Sequence, residues 1–186
     1  MIKINNISLS FGEKRVFDNF SLTIGDNDRI WLYGKSGSGK TTLTRLIFGF
    51  LKPQSGSIEI DENLKPSAVF QENRLLLFKS ALDNVLLVTK DKKKAVDVLS
   101  KLGLKDEINS PVKNFSGGMQ RKVALARALC ADFDYLVLDE PFTGMDDQSI
   151  KTAAELILCI AQNKPIILIT HNSFEAELLG AQKKEL

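Results

Sequence analysis

Apolar and polar residues alternate in two segments near the start of the chain. Within residues 2–9 an isoleucine or leucine recurs at every second or third position, and residues 17–24 repeat the pattern with phenylalanine, leucine and isoleucine. Such alternation is typical of strands with one buried face, so both segments predict strands of a half-exposed antiparallel sheet. Phe11 lies in the short turn between them and is expected to be exposed. Residues 57–60 alternate in the same way and predict another strand, after a turn at 53–56.

Later apolar segments are continuous. Residues 30–33, 135–138 and 165–170 are mostly apolar, which is typical of strands buried on both faces. The spacing of the apolar residues between these segments predicts helices at 40–48 and 147–162. Buried strands that alternate with helices indicate an α/β protein with a mainly parallel sheet and helices on both faces.

A helical segment interrupts this order. After a short predicted strand at 68–70, apolar residues recur at helical spacing through most of residues 72–115, which predicts an inserted helical subdomain. We therefore expect a single domain over residues 1–186, a length that one hydrophobic core can stabilise. Its sheet-bearing part would comprise residues 1–71 and 116–186.

Composition adds constraints on partners and compartment. The net charge of +2 provides no basic field that would favour nucleic acid, and 44% hydrophobic residues are ordinary for a globular protein. Cys130 and Cys159 lie in apolar helical segments without metal-ligand spacing, which predicts reduced core residues of a cytosolic protein. No apolar run reaches the roughly 18 residues of a membrane span, and residues 1–4 predict a strand where a signal peptide would stand. Any membrane part must then come from another chain.

The first chemical signal is a glycine-rich stretch between a predicted strand and a predicted helix. Its members are Gly34, Lys35, Ser36, Gly37, Ser38, Gly39, Lys40, Thr41 and Thr42. Glycines let backbone N–H groups surround phosphate oxygens, and the helix N-terminus adds partial positive charge. Lys40 can reach the β- and γ-phosphates, and the Thr41 hydroxyl can hold Mg²⁺. A simple Gly/Ser connecting turn is the alternative, which the full spacing and strand–helix context disfavour. The stretch therefore predicts a nucleoside triphosphate site, and the family resemblance given below implies that the nucleotide is ATP.

Two carboxylates and the only histidine follow later apolar strands. Asp139 ends the strand at 135–138, where ligands collect in open α/β sheets, and it is the expected second Mg²⁺ ligand. Glu140 follows directly and is the expected general base for an attacking water. His171 ends the next apolar strand and is expected to contact the γ-phosphate. Acidic residues in loops and lone histidines are often only structural; beside a complete phosphate loop the catalytic interpretation is favoured.

With these residues in place, the chain resembles the ATP-binding subunit of ATP-binding cassette (ABC) transporters over essentially its whole length. Several motifs occur in the family's order. They are the Walker A loop at 34–42, the Q-loop with Gln71, the signature Phe115-Ser116-Gly117-Gly118-Met119, the Walker B strand ending at Asp139-Glu140, the D-loop with Asp146, and the switch histidine His171. Phe11 stands where the family places an aromatic residue that stacks on adenine.

The resemblance implies a P-loop NTPase fold of the ABC type, with a RecA-like core, an antiparallel β subdomain and an inserted helical subdomain. It also implies roles for residues that spacing alone does not explain. Gln71 would contact Mg²⁺ or the attacking water and link the nucleotide to the helical subdomain. Ser116 and its two following glycines form an anion-binding helix start, which in the family closes over ATP held by a second subunit, together with Asp146.

The sequence around Gln71 and after Glu140 and His171 looks like the importer branch for nitrate, sulfonate and taurine. Permease subunits, a second cassette and an extracytoplasmic solute-binding protein would then be the partners, with no direct nucleic acid, and the chain would lie on the inner face of the cell membrane. Leu77-Phe78 and Gly144-Met145 depart from that branch, the helical subdomain is short, and the last sheet-edge strands are expected to be absent or much reduced.

Three alternatives remain at this stage. An efflux or lipoprotein-release ATPase would use the same core with a different membrane partner. A soluble cassette ATPase acting on DNA or ribosomes is disfavoured by the low net charge and the absence of a long coiled-coil insertion. A nucleotide-binding module without turnover is disfavoured because Glu140 and His171 are both present.

Overall fold

The computed structural model describes residues 1–35 and 37–186 and contains two sheets and six α-helices within those ranges. In chain order the elements are β1 (Ile2–Phe11), β2 (Lys14–Ile24), β3 (Arg29–Tyr33), α1 (Lys40–Ile47), β4 (Ser55–Ile60), β5 (Pro66–Val69), α2 (Ala81–Leu86), α3 (Lys92–Lys101), α4 (Gly117–Cys130), β6 (Tyr135–Asp139), α5 (Asp147–Ile160), β7 (Ile166–Ile169), α6 (Ser173–Leu178) and β8 (Gln182–Glu185). Two 3₁₀ turns, at Lys105–Glu107 and Val112–Asn114, precede α4.

The first sheet is antiparallel, with strand order β2-β1-β4. The alternating isoleucines Ile2, Ile4 and Ile7 of β1 are buried, as the period-two pattern predicts. They pack in one apolar cluster with Leu32 of β3 and Leu43 of α1. This contact joins the antiparallel sheet to the strand and helix that flank the phosphate loop.

The second sheet is parallel, with order β5-β6-β7-β3-β8. Every residue of β6 and β7 is buried, which explains why these strands are continuously apolar. Because all five strands are parallel, the carboxyl ends of β3, β5, β6 and β7 lie along one edge. The predicted site residues that end or follow these strands therefore lie along the same edge of the sheet.

The helical insert packs on α4 and shares an apolar core with it. Val85 of α2, Leu99 of α3 and Leu125 of α4 are fully buried in that core. A capping box fixes the start of α2: the Ser80 hydroxyl accepts a hydrogen bond from the backbone of Asp83, whose carboxylate accepts one from the backbone of Ser80. Helix α4 thus connects the insert to the parallel sheet.

Several local expectations were wrong in detail. Residues 55–56 belong to β4 where a turn was predicted. Helix α1 ends at Ile47, one residue early, and α6 and β8 were not predicted because their short or polar sequences carry no clear apolar period. Strand β8 nevertheless pairs with β3 through its backbone and extends the sheet edge. Cys159 is exposed, unlike Cys130, because it lies on the outer side of α5. Among the described residues, no helix is long and apolar enough to span a membrane.

Candidate nucleotide-binding and hydrolysis site

The loop between β3 and α1 depends on glycine at two positions. Gly37 and Gly39 have φ of 80° and 105°, in the left-handed region that side chains disfavour. A Cβ on Gly39 would also lie 2.7 Å from Val16 Cγ1 and 2.9 Å from Phe17 Cζ of β2. The loop therefore lies tightly against the antiparallel sheet at Gly39, where there is no room for a side chain.

A buried lysine and a buried hydroxyl line this loop. Lys40 is 9% exposed, and its Nζ donates hydrogen bonds to the carbonyl oxygens of Gly34 (2.6 Å) and Lys35 (3.0 Å). The Ser38 hydroxyl is buried and has no hydrogen-bond partner within the described residues. A buried polar atom without a partner is unfavourable unless a ligand satisfies it. These groups fit a phosphate anion.

Ten of the predicted site residues meet in one cavity of about 300 Å³, whereas Gly34, Lys35 and Ser38 of the loop are not part of its lining. The predicted residues that line it are Phe11, Gly37, Gly39, Lys40, Thr41, Thr42, Gln71, Asp139, Glu140 and His171. Ser36 lies outside the described residues. Phe11 is 52% exposed at the cavity, which leaves an aromatic face free for stacking. Sequence reasoning missed Lys14 and Val16, which line the same cavity and follow Phe11 in the hairpin without any motif of their own.

The two carboxylates have different surroundings. Asp139 is 5% exposed, and burial, followed by the nearby charge of Glu140, raises the pKa of its carboxyl group. Glu140 has a left-handed backbone, with φ of 49°, and its carboxylate lies 3.7 Å from His171 Nε2. Thr170 lies between Glu140 and the buried Glu175, with its hydroxyl oxygen 3.4 Å from one carboxylate and 2.6 Å from the other.

The carboxylate of Asp139 and the hydroxyl of Thr41 are hard oxygen ligands of the kind that Mg²⁺ prefers. Both line the phosphate cavity. No group of three or more His, Cys, Asp or Glu side chains capable of holding a metal occurs in the described part of the chain. Mg²⁺ that binds together with a nucleotide uses few protein ligands and completes its shell with phosphate oxygens and water.

The predicted signature residues lie apart from this cavity. Ser116 caps α4 by accepting a hydrogen bond from the Met119 amide (3.3 Å), and no residue of 115–119 lines the cavity. Gly118 packs against the D-loop so closely that a Cβ there would be 2.2 Å from the Gly144 carbonyl oxygen. Gly117 faces open space. The α4 N-terminus therefore packs against the D-loop of the same chain at Gly118 and is open to solvent at Gly117.

Phe115 and Asp146 flank this surface in different ways. The Phe115 side chain is buried, whereas Asp146 is exposed at the start of α5. The Asp146 carboxylate accepts hydrogen bonds from the amide and hydroxyl of Ser149, which lower its pKa. Asp146 therefore remains a charged group beside the close contact between α4 and the D-loop.

Comparison with known families agrees with this geometry. Residues 17–143 match the family model described as ABC transporter. The chain belongs to the ABC transporter family. It is accordingly an ATP-binding cassette of the kind that hydrolyses ATP, and the parallel sheet, antiparallel sheet and phosphate loop follow the ABC type of P-loop fold.

Relatives and solved structures cover most of the cassette. The aliphatic sulfonates import ATP-binding protein of Corynebacterium glutamicum is 36% identical, over 95% of this chain and 76% of the relative. The taurine import ATP-binding protein of Pseudomonas fluorescens is 34% identical, over 97% and 75%. A sulfonates import protein of Pseudomonas syringae is 36% identical, and the chain spans 66% of its length. The dimeric ATP-binding cassette MJ0796 in a post-hydrolysis state, bound to ADP and Pi, superposes with a TM-score of 0.82 at 26% identity, covering 96% of this chain and 91% of that one.

Proposed function

We propose that this cassette powers the import of a small solute through a membrane permease by binding and hydrolysing ATP. The observation that carries the catalytic part is the convergence of Asp139, Glu140, Gln71 and His171 on the cavity that contains Lys40. The importer assignment is supported by the sulfonate and taurine import ATP-binding proteins among the relatives. An efflux role has no comparable support from a relative described above.

Phosphate binding follows from the loop between β3 and α1. Lys40 is restrained by the carbonyl oxygens of Gly34 and Lys35, so its ammonium group is already placed before nucleotide binds. The buried Ser38 hydroxyl and the loop amides donate to phosphate oxygens. Thr41 and Asp139 would hold Mg²⁺, which when bound neutralises charge on the phosphates.

Glu140 is the proposed base. It accepts a proton from a water molecule as the water oxygen bonds to the γ-phosphorus and the bond to the β-phosphate oxygen breaks. His171, 3.7 Å from the Glu140 carboxylate, would contact the transferred phosphate, and Gln71 lines the same cavity from the end of β5. These side chains come from different strands, so their relative positions depend on the sheet.

A second cassette is the proposed partner for the bare signature surface. Ser116 and Gly117 lie at an open helix N-terminus that does not line its own nucleotide cavity. A second copy or a sister cassette would bring nucleotide to this surface, as the dimeric form of the similar cassette MJ0796 suggests. Asp146 is exposed and charged beside it.

The proposed permease contact is the loop that follows Gln71. Leu76, Leu77 and Phe78 are consecutive exposed apolar residues, and Phe78 is 83% exposed. Exposed large apolar side chains in sequence are typical of a protein interface. The cassette would then lie on the inner face of the membrane, with a solute-binding protein outside. Loss of copurifying permease on Phe78→Ser, with ATPase activity retained, would support this contact.

The test of hydrolysis compares wild-type protein with Glu140→Gln. The variant keeps the phosphate cradle and Asp139, so we expect unchanged ATP affinity by fluorescence titration, loss of phosphate release, and an ATP-dependent dimer on size exclusion. Wild-type turnover in this variant would refute the catalytic assignment. Purification from detergent-solubilised membranes tests the importer part: a multi-span permease supports it, and recovery only with ribosomes or nucleic acid would overturn it.

A further inference from the structure

Arg121 is a buried arginine that joins two parts of the hydrolysis site. It lies on α4 and is 2% exposed. Its Nη1 donates to the carbonyl oxygen of Phe70 at 2.5 Å and to Asn73 Oδ1 at 2.9 Å, at the end of β5. Its Nη2 donates to the carbonyl oxygens of Asp139 and Glu140, at the end of β6. A single guanidinium group therefore bridges the strand end that precedes Gln71 and the strand end that carries both carboxylates.

The Glu140 backbone needs such support. Its φ of 49° is in the left-handed region, which a residue with a Cβ adopts only when its surroundings hold it there. Its carbonyl oxygen accepts hydrogen bonds from Arg121 Nε at 3.0 Å and Nη2 at 2.6 Å, and from the Thr143 hydroxyl at 3.0 Å. Its amide donates to the Ile169 carbonyl oxygen at 2.8 Å. These bonds determine the direction in which the Glu140 side chain leaves the strand.

Only arginine has the donors for this arrangement. The guanidinium is planar and presents five N–H groups in a fixed fork, whereas a lysine ammonium is a point charge with three. Burial lowers the pKa of Arg121, and the nearby charges of Asp139, Glu140 and Glu175 oppose that effect. A lysine could also supply a positive charge here, so the planar set of N–H donors is what distinguishes arginine at this position.

We propose that Arg121 is a positioning residue for ATP hydrolysis, which holds the Glu140 turn and the Gln71 strand end in one arrangement from helix α4. The proposal rests on the proposed role of Glu140 as the base. Arg121 touches backbone oxygens and Asn73 and lies outside the phosphate cavity, so its removal affects the chemical step and leaves the nucleotide cradle intact. It follows the signature on the same helix, at a position outside every predicted motif.

The test substitutes Arg121→Lys, which keeps the charge and removes the fork. We expect kcat to fall by about 100-fold, the effect typical of a displacement of about 1 Å at a reacting group, with KM and the Kd for ATP changed less than about twofold, because they depend mainly on binding that Arg121 does not touch. Arg127→Lys is the matched control. Arg127 is on the same helix and donates to the carbonyl oxygens of Arg74 (2.8 Å) and Asn73 (2.9 Å), with no contact to Glu140. Its kcat should stay near wild type.

A second pair of variants decides the question if the Arg121 variant fails to fold. Thr143 is exposed, so Thr143→Val should fold, and it removes one hydrogen bond from the Glu140 carbonyl. We expect kcat to fall severalfold at unchanged ATP Kd, and Thr143→Ser to restore it. Wild-type kcat in Arg121→Lys, or in Thr143→Val if the first is unfolded, overturns the proposal. Equal losses in Arg121→Lys and Arg127→Lys overturn it too, since they would indicate general loosening of α4.

Glu140→Gln, measured in parallel, separates this inference from the function on which it rests. If Glu140→Gln retains turnover, the proposed base is wrong and the positioning role falls with it. If Glu140→Gln is inactive and Arg121→Lys is fully active, only the positioning role fails. With both roles correct, adding Arg121→Lys to Glu140→Gln lowers the residual rate no further, because the positioned group is already gone.

Discussion

The close contact between α4 and the D-loop allows a sharp prediction for Gly118→Ala. The new Cβ would lie 2.2 Å from the Gly144 carbonyl oxygen and 3.0 Å from its carbon, both backbone atoms. Carbon and oxygen normally approach no closer than about 3.3 Å, so the helix or the loop must move by roughly 1 Å. Such overpacking typically costs about 1–3 kcal/mol in the free energy of unfolding.

Gly117→Ala is the matched control on the same helix. No atom lies within 4 Å of a Cβ at this position, and its φ is not in the left-handed region. Alanine lowers the entropy of the unfolded chain, which should raise stability by about 0.4–1 kcal/mol. The two adjacent, chemically identical substitutions are therefore expected to shift stability in opposite directions.

Urea unfolding followed by fluorescence of Trp31, the only tryptophan, measures both variants against wild type. The indole is well placed as a reporter because its Nε1 donates to the Thr170 carbonyl oxygen at 3.0 Å, beside the hydrolysis site. A Gly118→Ala variant within about 0.5 kcal/mol of Gly117→Ala, at unchanged m-value, would refute the reasoning from close packing.

The remaining predictions concern charge and burial. Lys40→Ala removes a buried cation at the phosphate loop and should weaken ATP binding at least about tenfold in a fluorescence titration. Wild-type affinity in this variant would contradict the proposal that Lys40 binds phosphate. Asp139→Asn should stabilise the nucleotide-free protein at pH 7 while abolishing turnover, because burial, with the charge of Glu140, raises the pKa of Asp139 and so disfavours its ionised form. The pKa of Asp139 is higher in the folded protein than in the unfolded chain, where it is about 3.9. The stability gained on substitution should therefore shrink as pH falls through the folded pKa and vanish below the unfolded one, and melting temperatures measured across pH would test this. In native protein a thiol reagent at pH 8 should label the exposed Cys159 and not Cys130, whose buried thiol has a pKa of about 11; mass spectrometry of the labelled peptides checks this.

Local sequence determined the motifs and the types of most elements. The loop from Gly34 to Thr42 is recognisable because glycines and a lysine at fixed spacing are needed wherever backbone surrounds phosphate. The buried strands β6 and β7 are recognisable because two covered faces require continuous apolar residues. These signals depend on neighbours within a few positions, so they survive without knowledge of the fold.

The tertiary structure decided what lies together. Lys14 and Val16 reach the phosphate cavity only because the antiparallel hairpin folds over the loop. Strand β8 forms by backbone pairing with β3, which its polar sequence does not predict. Arg121 illustrates the limit most clearly. Its partners, Phe70 and Glu140, are 51 and 19 positions away in sequence. The atoms that it contacts in them are backbone oxygens, which every residue has, so no sequence pattern identifies them. The sequence by itself therefore determined the chemistry available to this cassette, and only the fold determined which groups hold that chemistry in place.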